Sequence, residues 1–181
     1  MLRNIRMDED FRHFMKEALR EAEKGFSEGE VPVGALVVHQ DGRILAAAHN
    51  RPISLQDPTA HAEVLAIRAA ASKCGNYRLP GAALIVTIEP CSMCMGAALN
   101  ARISRLVFGA SDPKAGAAGS VFDLARSGAL NHRIEVVSGI LEEECSGLMQ
   151  EFFSLRRKRS ADSGRGTEVV VTGSTRNRLV P

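Results

Sequence analysis

Between Thr59 and Cys94 the chain carries His61-Ala62-Glu63 and then Pro90-Cys91-Ser92-Met93-Cys94, the first cysteine following the histidine by 30 positions. An imidazole nitrogen and two thiolates make three soft ligands for zinc. Zinc held by three protein ligands keeps its fourth position open, the arrangement of a catalytic rather than a structural site. Cys91 and Cys94 are three apart and share a face if they open a helix. Pro90 suits the first turn of that helix. The orphan N–H groups and dipole of a helix start favour the thiolate that zinc requires. His61 follows the turn-forming Asp57-Pro58-Thr59 and opens a second helical run, Ala62 to Ser72. Two helix starts are thus expected to aim at a single Zn2+ ion per subunit.

Glu63 has a different expected role. Two positions along a regular helix is a rotation of about 200°. His61 and Glu63 therefore diverge deep in a helix but can flank one cavity at its first turn. Placed there, Glu63 is no ligand but the catalytic proton shuttle beside the metal. Each piece alone has a plainer reading. C-x-x-C can be a redox pair or a structural half-site, the histidine a cap, and the glutamate a partner for the helix dipole. Their joint occurrence around one intervening strand selects catalytic zinc.

Around this motif, Phe11, Phe14, Met15, Ala18, Leu19, Ala22 and Phe26 recur at helical intervals from Asp10 to Glu28, ended by Gly29. Val33 to Val38, a turn at Gln40-Asp41-Gly42 and Ile44 to Ala47 read as a hairpin. From His49 to Pro58 the chain breaks from regular structure and feeds the zinc histidine. Strands follow at Ala82 to Ile88, Arg105 to Gly109 and Ile134 to Val137. A helix is expected from Cys91 to Asn100 and a last one from Leu141 to about Arg159. A hairpin followed by alternating elements implies an α/β fold with a mixed sheet covered by helices. Helical crossovers between the last three strands imply that these run parallel.

The 181 residues, 45% hydrophobic and 24% charged, fit one globular domain with a buried core. A net charge of +2 does not mark a general nucleic-acid binder, so any basic surface must be local. With two cysteines on the metal, Cys74 and Cys145 read as packing residues in a reducing compartment. No apolar run approaches the ~20 residues of a membrane span. Arg3 and Arg6 are followed at once by Asp8, Glu9 and Asp10, so no targeting segment is expected. The expectations are a cytoplasmic protein, no membrane, a domain over residues 1–159 and a flexible tail over 160–181.

The His61/Glu63 and Pro90/Cys91/Cys94 pair resembles the cytidine deaminase superfamily. The flanking segments resemble one branch, the bacterial tRNA-specific adenosine deaminases. Those segments are Glu30 to Ala35, Asn50 to Ile53, Asp57 to Glu63, Asn76 to Leu79, Val107 to Ala110, Asp112 to Ser120 and Asn131 to Arg133. The Asp112 to Ser120 loop and the Phe152-Phe153 helix end narrow the resemblance to the tRNA enzymes. It implies a three-layer α/β/α sandwich around a five-stranded mixed sheet and a homodimer. It also implies hydrolytic conversion of adenosine to inosine at the first anticodon position of an arginine tRNA. The Ala62 and Cys91 N–H groups become expected partners of the base and of the oxygen on the metal.

A base in a stacked loop must be splayed out before zinc reaches it, and contacts to its neighbours must offset that cost. The candidates for these contacts to the tRNA anticodon stem-loop are Asn50, Asp112, Lys114 and Phe153, with Arg156 and Arg157 in the basic run Arg156 to Arg159. That run would bind phosphate in a salt-dependent way, or else would merely complement the dipole of its own helix end. Asn50 and Asp112-Pro113 have a plain reading as turn formers, and Gly116 and Gly119 as flexible points. Two alternatives remain. A deaminase of a free base or nucleotide (cytosine, guanine or deoxycytidylate) would use the same zinc chemistry. A non-catalytic RNA-binding module would close the zinc with a fourth protein ligand, for which His132 is the candidate.

Overall fold

The computed structural model describes residues 7–163, with side chains over 11–159. Its elements are α1 (Met7–Ser27), β1 (Gly34–Val38), β2 (Ile44–His49), α2 (Pro52–Leu55), α3 (Ala62–Cys74), β3 (Ala83–Ile88), α4 (Ser92–Asn100), β4 (Arg105–Ala110), β5 (Glu135–Val137) and α5 (Glu142–Ser163). The five strands form one sheet in the order β2-β1-β3-β4-β5. β1 pairs antiparallel with both β2 and β3, whereas β3, β4 and β5 run parallel. The mixed sheet matches the reading from the sequence. The helical crossover expected between β4 and β5 is absent. Residues 111–134 form an irregular segment, held in place by the contacts described below.

Successive side chains of a strand point to opposite faces, so a sheet covered on both sides needs continuous apolar strands. In β1, Ala35 and Val37 join the core beneath α3 and α4, with Ala66, Ala70, Met95 and Ala98. Leu36 and Val38 join the opposite core, with Phe14, Met15 and Ala18 of α1 and Cys145 of α5. The result is the three-layer α/β/α sandwich. α3 packs on β1 and β2 through Ala62, Ala66, Ile67 and Ala70, and α4 joins the same core through Met95 and Ala98. On the other face α1 approaches β1 so nearly that a methyl group at Gly34 would overlap the Ala18 carbonyl. Gly34→Ala is therefore expected to lower stability by about 1–3 kcal/mol, read as a lower urea midpoint at unchanged slope.

Two stretches differ from their sequence reading. Residues 52–55 were expected to be irregular but form the short helix α2, with Pro52 in its first turn. The cause is Glu30, 1% exposed, whose carboxylate accepts the N–H groups of Ser54 (2.7 Å) and Ile53 (3.2 Å). A carboxylate at a helix start satisfies orphan donors that a polar loop would leave to water. The last helix continues to Ser163, past the end near Arg159 expected for it. The rest of the expected tail, 164–181, lies outside the described residues. Among the described residues no helix is long and apolar enough to cross a membrane.

Candidate active site

His61 and Cys91 each occupy the N-cap position of a helix, α3 and α4, with extended backbone (φ −73°, ψ 150° and φ −72°, ψ 174°). Neither side chain makes a capping hydrogen bond, so imidazole and thiol are both turned to other use. Cys94 lies in the first turn of α4. Pro90 stands one residue before the cap rather than within the first turn, and its carbonyl accepts the Ala117 N–H at 2.8 Å. The turn before His61 is fixed by Asp57, whose Oδ1 accepts the Thr59 N–H at 2.8 Å and the Thr59 hydroxyl at 2.7 Å.

The three ligand atoms converge. Nδ1 of His61 is 3.5 Å from the Cys94 sulfur and 3.8 Å from that of Cys91, and the two sulfurs are 3.6 Å apart. A tetrahedral zinc with ordinary Zn–S and Zn–N bonds spaces two sulfurs by about 3.8 Å and a sulfur and nitrogen by about 3.6 Å. The donor set and its edges fit zinc. Among the described residues these three alone form a cluster able to hold a metal. His132, the candidate fourth ligand of a closed site, instead lies with Nε2 2.6 Å from the Ile103 carbonyl. The closed structural-zinc reading thus lacks its ligand.

The cluster is electrostatically polarised. Hydrogen bonds from Cys94 and His61 hold the Cys91 thiol down at about 3. The same contact with Cys91, with burial, pushes Cys94 far up. His61 is raised by its hydrogen bond with Cys91. A thiolate at a helix N-terminus, next to an imidazole, is the expected partner of a soft cation.

A cavity of about 600 Å³ opens on this cluster. His61, Glu63 and Cys91 line it together with Asn50, Glu89, Asp112, Lys114 and Phe153. Glu63, in the first turn of α3, is 4% exposed. Burial raises its pKa, aided by the charge of Cys91 and opposed by His61. The Oδ1 of Asn50 accepts the Ala62 N–H at 2.8 Å, so that buried N–H already has a partner within the chain. Asp112 does turn chemistry and lines the cavity at once: its Oδ1 accepts the N–H groups of Lys114 (2.9 Å) and Ala115 (3.3 Å). Phe153 reaches the cavity from α5, while its neighbour Phe152 turns inward to pack edge-on against Phe26, ring centres 5.5 Å apart. Arg156 and Arg157 follow on the exposed side of α5, and Arg156 lies 5.5 Å from the Phe152 ring centre. The basic run precedes the last turn of α5, which contains no basic residue. It is therefore not placed to complement that helix end.

Sequence reasoning gave no role to Glu89, which is buried at the end of β3 and lines the same cavity. Its signal was a charge closing an apolar strand run. Gly116, read as a flexible point, in fact has no room for a side chain, because a methyl group there would overlap Glu89 and the Asp112 carbonyl.

The cytidine and deoxycytidylate deaminase zinc-binding region matches residues 8–110. The tRNA-specific adenosine deaminase of Bacillus subtilis (strain 168) is 49% identical over 149 residues, 82% of this chain and 92% of its own. A structure solved in a study of A-to-I editing by tRNA deaminases at the wobble position superposes with TM-score 0.73 and 46% identity, covering 75% of this chain and 98% of that one. A guanine deaminase from Nitrosomonas europaea is more distant, with TM-score 0.68 and 27% identity, covering 79% of this chain and 84% of that one. The chain belongs to the cytidine and deoxycytidylate deaminase family, within its branch of bacterial tRNA-specific adenosine deaminases.

Proposed function

We infer that this chain is a zinc-dependent hydrolase that converts adenosine to inosine at the wobble position of tRNA, with an arginine tRNA as substrate. The observation that carries the reading is the His61–Cys91–Cys94 triad opening, beside Glu63, onto one cavity. The similarity to tRNA-specific adenosine deaminases supplies the substrate class.

When bound, zinc supplies a water-derived nucleophile at neutral pH. The chain does the proton work. Glu63 takes the proton of the attacking water and passes it to the ring nitrogen beside C6. As the water oxygen bonds to C6, Glu63 takes the second proton from the new hydroxyl and delivers it to the amino group, so that the C6–N bond breaks, ammonia leaves, and inosine remains. A carboxyl whose pKa is raised by burial suits a group that both accepts and returns a proton near pH 7. Asn50, with Oδ1 already bonded to Ala62, has its Nδ2 donors for an acceptor on the base. Asp112, Lys114 and Phe153 line the side where neighbouring loop nucleotides would lie, consistent with recognition of unstacked RNA loops. We place the enzyme in the cytoplasm as a homodimer. The free cysteines suit a reducing compartment, and exposed Ile53 and Phe122 offer apolar contact to a second copy.

Ammonia release from a tRNA with adenosine at its first anticodon base should far exceed that from guanine, cytosine, deoxycytidylate or free adenosine. The reverse ranking would make this a small-molecule deaminase. Replacing Arg156, Arg157 and Lys158 by glutamine should weaken RNA binding most at low salt and flatten the slope of log K against log salt by about 2. An unchanged slope, measured by fluorescence anisotropy, would exclude the basic run from the phosphate contacts.

A further inference from the structure

Glu89 lies two residues before the ligand Cys91, and none of the proton transfers above uses it. The residue is 3% exposed, and its carboxylate accepts four hydrogen bonds from one stretch of chain. Oε1 accepts the N–H groups of Ala118 (2.9 Å) and Ser120 (3.1 Å). Oε2 accepts the N–H of Asp112 (3.1 Å) and the Ser120 hydroxyl. Two neighbouring contacts join the same stretch to the metal loop. Ala117 donates to the Pro90 carbonyl, and Cys91 pairs with Gly116 as an isolated antiparallel bridge. The absence of a side chain at Gly116 is what lets the carboxylate come this close.

Only an ionised carboxylate accepts at both oxygens with no donor of its own. A glutamine would present an NH2 to donors on one side, and charge-assisted bonds of this kind are stronger than neutral ones. The stretch so held brings Asp112, Pro113, Lys114 and Ala115 to the cavity wall. The ligands and Glu63, by contrast, are carried by α3 and α4. Loosening the wall would therefore leave the chemistry in place and weaken the grip on substrate.

We propose that Glu89 is a positioning residue for the RNA substrate, fixing the 112–120 segment against the metal loop as the wall that receives the nucleotides beside the reacting base. The proposal rests on the tRNA reading above. The test uses zinc-loaded full chain as wild type, Glu89→Gln and Ser120→Ala, with an anticodon stem-loop RNA carrying adenosine at the first anticodon base. Initial rates are expressed per bound zinc. Glu89→Gln should raise KM about tenfold with kcat per zinc little changed, and Ser120→Ala should raise KM about threefold. A simple loss of folded protein would lower zinc content and leave KM per active site where it was, and that result would overturn the proposal. Should Glu89→Gln not fold, Ser120→Ala decides alone, and an unmoved KM overturns the proposal. Inosine from the wild type with unmoved KM in the variants overturns this proposal only. No inosine from the wild type overturns the tRNA reading with it.

Discussion

Glu63→Gln is expected to keep stoichiometric zinc while lowering kcat for inosine formation by about 10²–10⁴-fold, the range of a lost general acid–base group. Glu63 lines the cavity without joining the three-ligand cluster, so the metal should not depend on it. Glutamine has nearly the same shape and fits the same buried place, but it cannot carry a proton from water to the base. Burial already disfavours the charged form of Glu63, so a neutral amide there should not lower the melting temperature. Metal analysis, a thermal melt and single-turnover kinetics on one preparation separate these effects. A variant with near wild-type kcat would remove Glu63 from the reaction.

The second large effect is expected from the ligands. Cys91→Ser should lose tightly bound zinc, and inosine formation should fall to background and not return on adding zinc. Wild-type chain stripped by a chelator should also lose activity but regain it with zinc. The metal joins the first turns of two helices that carry no side-chain cap of their own at these positions, so binding should also stabilise the fold. Free zinc at 100 times its dissociation constant adds about 2.7 kcal/mol to the folded state. The wild-type melting temperature should therefore rise with zinc and that of Cys91→Ser should not. Equal responses of the two would mean that Cys91 does not hold the ion.

The elements closest to the metal were the most legible in the sequence. His61, Cys91 and Cys94 sit at helix starts that turn residues and a proline announce, and local order suffices to aim them. The sheet was legible for a related reason: continuous apolar runs mark strands covered on both faces. What the sequence hid is what long-range polar contacts create. Nothing local joins Glu30 to residues 53 and 54, yet its buried carboxylate turns a polar loop into α2. Nothing local joins Glu89 to residues 112–120, yet the parallel β4–β5 crossover is organised around it without a helix. Asn50 carries a smaller lesson. A turn former by type, it reaches across 12 residues to cap α3 through Ala62. Hydropathy patterns carry no record of such pairings, because one buried charge looks like any other until its donors are located.

Position-resolved sequencing of an anticodon stem-loop RNA, treated with zinc-loaded chain, is the most direct measurement of what this cavity does. Adenosine is placed in turn at the first anticodon base and at the other loop positions, beside free adenosine and guanine. Inosine at the first anticodon base, with the other loop positions and the free compounds untouched, is the expected result. An unedited stem-loop beside deaminated free adenosine or guanine would contradict it.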